Sequence, residues 1–297
     1  MSAVSRREFL AGSAAVATAT LGGRLAFGAE GTSKAAGGGL VTLGRSGIKT
    51  SVLGLGTGTH GGRQQRELGP DGFAKLLKHA YQRGVRYIDT AGMYRMHGTI
   101  RFALKGLPRE EFFIQSKTRA KGPKEAKAEI ERFRKELGVD YIDSLLMHCM
   151  STKTWPTDMR PVMDVLSEAK QKGRVRAVGV SCHGLPPVVA SVDCDWIDIQ
   201  LARINPFGEK MDGKPAEVAP LLKKIHQKGR GVIGMKIFGE TGYDSPEKRF
   251  QALQYVLGLG CVDAFTIGFT STEQIDETLG MIDKALAARG ARRRLVA

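Results

Sequence analysis

The amino-acid sequence predicts a closed, parallel, eight-stranded α/β barrel of the (β/α)8 TIM type. Three observations carry that expectation. From Leu40 onward, short apolar runs alternate with longer amphipathic stretches. The apolar runs end near positions 57, 89, 117, 148, 181, 200, 236 and 268, mostly about thirty residues apart, the size of one strand–helix unit. Eight such units in strict alternation imply a parallel sheet that closes on itself, and 297 residues suffice for one such domain.

The elements follow in order. VLGLGTG is the first strand, ending near Thr57, and FAKLLKHAYQRG repeats its apolar residues at helical spacing. RYIDT ends near Asp89, with a helix expected over residues 97–107. FFIQSK ends at Lys117 and precedes PKEAKAEIERFRKELG, whose Pro123 suits a helix's first turn. DSLLMH ends at His148, and the next helix is expected over residues 159–172. VRAVGVS ends at Ser181 before the short stretch LPPVVASV. WIDIQLARIN supplies the sixth strand, followed by a helix over residues 217–228. GVIGMK ends at Lys236 before PEKRFQALQYVLGLG, and VDAFTIG ends at Gly268 before STEQIDETLGMIDKALA. A doubly wound open sheet would want a G-x-G-x-x-G loop opening a helix after the first strand. GLGTGTHGG offers glycines there, but His60-Gly61-Gly62 follow Gly58 and no helix opens directly.

The first thirty residues stand outside this pattern. Arg6-Arg7, then Phe9-Leu10, a weakly apolar stretch and small residues near AFGA together resemble a twin-arginine export signal. The apolar stretch is too short and too polar to span a bilayer. The chain therefore divides into an export signal over residues 1–30, a glycine-rich linker over 31–39 and a single barrel over 40–297. The resemblance implies a bacterial protein with the twin-arginine machinery as a partner, periplasmic or otherwise exported, not integral to the membrane, and cytoplasmic if the signal is not used.

A hydrophobic content of 42% and a charged content of 25% supply ample material for a core. The formal charge of +15 suits either a nucleic-acid binder or a site that attracts phosphorylated ligands. The cations recur in segments such as KQKGRVR and KKIHQKGRG, just before apolar runs, where they suit helix C-terminal ends. No aromatic stacking platform or nucleic-acid motif accompanies them, so no nucleic-acid partner is expected. The four cysteines, Cys149, Cys182, Cys194 and Cys261, form no CxxC pair. Cys149 and His183 flank His148 and Cys182, but neighbouring strand residues point to opposite faces, and no metal site is expected.

Barrel chemistry gathers at the C-terminal strand ends. Asp89, Lys117 and His148 end the second, third and fourth strands, and Tyr94 lies in the loop after Asp89. Such a set suits protonation of a carbonyl oxygen. Free tyrosine, with a pKa of about 10, is a poor acid at neutral pH. A nearby lysine cation is expected to lower that pKa, an aspartate to hold the lysine charged, and a histidine to fix the carbonyl's geometry.

LGRSGIKTSVLGLGTG, YIDTAGMY, FFIQSK, DSLLMH, VRAVGVS, DIQLARINP and IGFTSTEQIDETL resemble the aldo-keto reductase family in order and spacing, across residues 40–285. The resemblance implies reduction of an aldehyde or ketone with NADP(H), NAD(H) being the alternative, or the reverse oxidation. Tyr94 would be the general acid, Lys117 and Asp89 would tune it, and His148 would orient a small carbonyl substrate. A non-catalytic cofactor-binding subunit of the same fold is the second reading. Ser181 and Gln200 match the residues that hold the nicotinamide carboxamide, but Cys182 replaces the usual asparagine. Met235 stands where a tyrosine often stacks on the nicotinamide, and Lys236 beside it suits the phosphates. At the adenosine end, beyond Gly268, Phe269 and Gln274 replace the basic residues of NADPH users. Thr270, Ser271 and Glu277 remain as hydrogen-bonding contacts there. The short tail GARRRLVA implies an open mouth with weak substrate discrimination.

Overall fold

A computed structural model describes residues 39–240 and 245–295, with side chains up to residue 289. The expected signal over 1–30 and the linker up to residue 38 lie outside the described residues, as do the side chains of the tail.

The described chain begins with an antiparallel hairpin of two three-residue strands, β1 (Leu40–Thr42) and β2 (Lys49–Ser51). Eight parallel strands follow: β3 (Leu53–Gly56), β4 (Tyr87–Asp89), β5 (Phe113–Thr118), β6 (Ile142–Met150), β7 (Val175–Cys182), β8 (Ile199–Arg203), β9 (Gly231–Met235) and β10 (Ala264–Gly268). They close into a barrel, β10 pairing with β3 through Gly268 and Gly56 and with β9 through Phe265 and Gly234. The expected fold class is the one observed.

The helices on the outer face are α1 (Arg63–Arg66), α2 (Gly69–Gln82), α3 (His97–Ala103), α4 (Pro123–Leu137), α5 (Trp155–Asp158), α6 (Arg160–Gln171), α7 (Leu185–Val192), α8 (Pro215–Gln227), α9 (Pro246–Leu259) and α10 (Thr272–Leu295). In α4, Pro123 occupies the first turn and Gly138, at φ 68°, ends the helix. Its Ala126, Ile130, Phe133 and Leu137 recur every three or four residues and are buried. Burying each larger one contributes on the order of 2 kcal/mol. The helix expected over 97–107 stops at Ala103, and the sixth barrel strand runs on to Arg203 rather than ending near 200. The hairpin and the single-turn helices α1 and α5 were not expected.

The hairpin decides which end of the barrel is open. Leu43 and Ile48 pack into the barrel interior with Tyr87, Phe113, Leu146 and Ile199. Arg45 N donates to Gly229 O at 2.6 Å, just ahead of β9. Gly44, at φ 47°, lies so close to that segment that a Cβ would fall 2.4 Å from Gly231 N. The floor is thereby sealed, which leaves the C-terminal rim as the open end. On that rim β6 shifts register between Met147 and Met150, and Cys149 takes a left-handed φ of 63°. Strict alternation of faces therefore fails there: His148 turns towards Tyr94, and Cys149 towards His183.

Candidate active site

Neighbouring strands bring Asp89, Lys117 and His148 to one side of the rim, and the turn Gly92–Tyr94 after β4 swings Tyr94 over them. Lys117 Nζ donates to Asp89 Oδ1 at 2.7 Å and to Thr90 O at 2.8 Å, with both side chains almost fully buried. Gln115 Nε2 also donates to Asp89 Oδ1, at 2.9 Å, and to the Tyr87 hydroxyl, at 2.8 Å. A buried ion pair needs such added hydrogen bonds to offset desolvation. Lys117 Nζ lies 5.2 Å from the centre of the Tyr94 ring. The Tyr94 hydroxyl lies 3.4 Å from His148 Nε2, and the two rings meet edge-on.

The protonation states depart from one expectation. Lys117 was expected to lower the Tyr94 pKa. Instead, burial first and Asp89 second push the phenol well above its ordinary value, against a smaller opposing pull from Arg203. The physical reason is that Asp89 neutralises Lys117 at contact distance, so little net positive field reaches the ring. Burial first, then Lys117, hold the His148 pKa down at about 2, so its imidazole is neutral at neutral pH.

A groove of about 480 Å³ opens beside these residues. Its near end is lined by Asp89, Tyr94, Gly56 and Gly58, its wall by Met235, Lys236 and Gly268, and its far end by Gln274, Glu277 and Arg249. A Cβ on Gly58 would sit 2.7 Å from the Tyr94 ring, so the first loop can approach the tyrosine only as glycine. Lys236, in a left-handed conformation at φ 58°, pairs with Glu240 at 3.2 Å.

The other sequence candidates are placed less directly. Ser181 is fully buried, and its Oγ accepts from Cys149 N at 3.0 Å. Cys182 is turned into the wall, 3.5 Å from Ser191 Oγ, and burial pushes its thiol up to about 12. Gln200 Nε2 donates to Leu201 O at 3.2 Å, while its buried Oε1 has no hydrogen-bond partner. Phe269 is buried, with its carbonyl facing Gln65. Thr270 N donates to Gln274 Oε1 at 2.9 Å, and Ser271 Oγ accepts from Gln274 N at 3.4 Å. Thr270 and Ser271 thus serve the start of α10 and do not line the groove.

Sequence reasoning missed Arg249. It reaches the far end from α9, where its Nη2 pairs with Glu277 Oε1 at 2.7 Å. No spacing signals it, because the packing of α9 alongside α10 sets its position.

The chain is thus a sealed (β/α)8 barrel with a tyrosine, a histidine and a buried lysine–aspartate pair beside a long groove. The model of the Aldo/keto reductase family matches residues 52–252, and the chain belongs to that family. Among curated proteins it is 33% identical over 144 residues to a glycerol 2-dehydrogenase (NADP(+)) of Saccharomyces cerevisiae, covering 44% of this chain and 43% of that one. It is 29% identical over 182 residues to an NADH-specific methylglyoxal reductase of Escherichia coli, covering 53% of each. The chain thus spans about half the length of these curated relatives. Among solved structures, a holo aldo-keto reductase of Bacillus halodurans superposes with a TM-score of 0.66 at 18% identity, covering 82% of this chain and 90% of that one. A Bombyx mori aldo-keto reductase in complex with NADP gives 0.64 at 21%, covering 84% and 91%. At such identities the structural likeness shows the fold.

Proposed function

We propose that this chain is an NADP(H)-dependent carbonyl reductase, converting an aldehyde or ketone to an alcohol or running the reverse. One observation carries the reading: a protonated Tyr94 hydroxyl, 3.4 Å from a neutral His148, stands at the mouth of the groove with Lys117 locked behind it.

The groove suits a nicotinamide cofactor at both ends. Gln200, with its unpaired buried Oε1, and Met235 would hold the nicotinamide end, and Thr266 Oγ1, also buried and unpaired, lies along the wall. Lys236 would meet the phosphates, and Gln274, Glu277 and Arg249 the adenosine end. The bound cofactor would supply the hydride. Tyr94 gives its proton to the carbonyl oxygen as charge develops there. His148 shares that oxygen through Nε2 and, being neutral, adds no charge that would compete with Lys117. Lys117 cannot move away, because Asp89 and Thr90 O hold it, so its ammonium stays fixed 5.2 Å from the centre of the Tyr94 ring and keeps the site rigid as the proton leaves. The relatives' names support a nicotinamide-dependent oxidoreductase, one naming NADP(+) with glycerol and one NADH with methylglyoxal.

Titration of NADPH and NADH into the full chain, followed by a screen of simple aldehydes, tests this. Saturable NADPH binding with turnover is the expected result. Cofactor binding without turnover would favour the non-catalytic subunit, and no binding would refute both readings.

Export by the twin-arginine route to the periplasm is a separate proposal, resting on residues 1–30. Replacing Arg6-Arg7 by Lys-Lys would leave the protein in the cytoplasmic fraction, and unchanged fractionation would refute the proposal.

A further inference from the structure

Two arginines stand on the rim beside Tyr94 and His148, and the proton transfer uses neither. Arg119 follows directly on β5, two positions past Lys117, and Arg203 is the last residue of β8. The intervening strands, β6 and β7, present Cys149 and His183, whose Sγ and Nε2 lie 3.2 Å apart. In the strand order β5-β6-β7-β8 the two arginines stand at the rim on either side of this Cys149–His183 pair.

The charges on that patch do not balance. Lys117 is matched by Asp89 and Lys236 by Glu240. Arg203 has only a long contact with Asp212, Nε to Oδ1 at 3.7 Å, and that same oxygen already accepts from Gly184 N at 2.9 Å. The buried Arg203 Nε makes no hydrogen bond. Arg119 is exposed and makes no ion pair or hydrogen bond among the described residues. His183, its pKa lowered to about 4 by burial and then by Arg203, is uncharged at neutral pH. Cys149, its pKa raised by burial, remains a neutral thiol. The rim beside the proton donor therefore holds surplus positive charge and unused guanidinium N–H groups.

We propose that the substrate is an anionic carbonyl compound, whose carboxylate or phosphate is gripped by Arg119 and Arg203 while its aldehyde or ketone faces Tyr94. The fork of a guanidinium matches either anion with two parallel hydrogen bonds. A charged cleft also raises the local concentration of an oppositely charged ligand. The proposal rests on the carbonyl-reductase reading and narrows it, replacing the undiscriminating mouth expected from the short tail.

The test compares kcat/KM, with NADPH, for 4-oxobutanoate, glyceraldehyde 3-phosphate and neutral butanal at low ionic strength. At least one anion should exceed butanal by about 10-fold or more, and the better of the two identifies carboxylate or phosphate as the group held. The anion-to-butanal ratio should shrink as salt is added and fall by about 10-fold in Arg119→Gln. Because Arg119 is exposed, that variant should fold, and Arg203→Gln provides a second reading of the same ratio. Butanal turned over as well as both anions, or a ratio unchanged in Arg119→Gln, would overturn the proposal and leave the reductase reading standing. Reduction of none of the three would overturn both.

Discussion

The Tyr94 hydroxyl and His148 Nε2 are 3.4 Å apart, and burial disfavours the charged form of both, raising the phenol's pKa and lowering the imidazole's. The phenol and the imidazole therefore meet without a charge between them. The charge of the site resides one layer deeper, in Lys117 and Asp89.

The neutrality of His148 sets a pH dependence of stability. Its folded pKa of about 2 lies far below the unfolded value of about 6.5, so between them the unfolded chain binds a proton that the folded chain refuses. Stability from this residue is fully present above about pH 6.5 and is lost as pH falls below it, by about 1.4 kcal/mol per pH unit. His183 acts in the same sense over its upper part of that window. Urea unfolding of His148→Asn from pH 7 to pH 5 should show a shallower loss than wild type. Parallel curves would contradict the assignment.

Removing one member of the buried pair should cost more than removing both. Asp89→Asn leaves Lys117 charged and without its counter-ion, a loss of about 3–5 kcal/mol. In Asp89→Asn with Lys117→Met the stranded charge is gone and part of that loss should return. Denaturant midpoints of the two variants decide it, and a double variant no more stable than Asp89→Asn would contradict the stranded-charge account.

How far the site was legible in the sequence depends on what each feature rests on. Asp89, Lys117 and His148 were found because polar or charged residues close apolar runs, and in a barrel strand ends share one rim. Three-residue strands such as Leu40–Thr42 have too few positions to show alternation, so the hairpin that seals the floor left no signal. The Tyr94 pKa was misjudged because its sign depends on the distance from Lys117 to Asp89, which no spacing reveals. Arg249 and the Arg119–Arg203 bracket depend on how separate units pack, a tertiary outcome of the closed barrel.

Arg249 carries a cofactor prediction. It supplies a cation at the far end of the groove, although Phe269 and Gln274 replace the basic residues expected there. Replacing it with glutamine removes a charge-assisted contact worth about 1.5–3 kcal/mol. NADPH affinity should fall roughly 10- to 100-fold, and NADH affinity should fall much less. Equal weakening of both cofactors in a binding titration would mean that Arg249 does not read the 2′-phosphate.

The central claim is that Tyr94 delivers the proton, and single-turnover reduction by NADPH in wild type and Tyr94→Phe tests it most directly. The account predicts unchanged NADPH affinity with a rate about 100-fold or more lower in the variant. A Tyr94→Phe protein that reduces the same carbonyl at the wild-type rate would place the acid elsewhere on the rim.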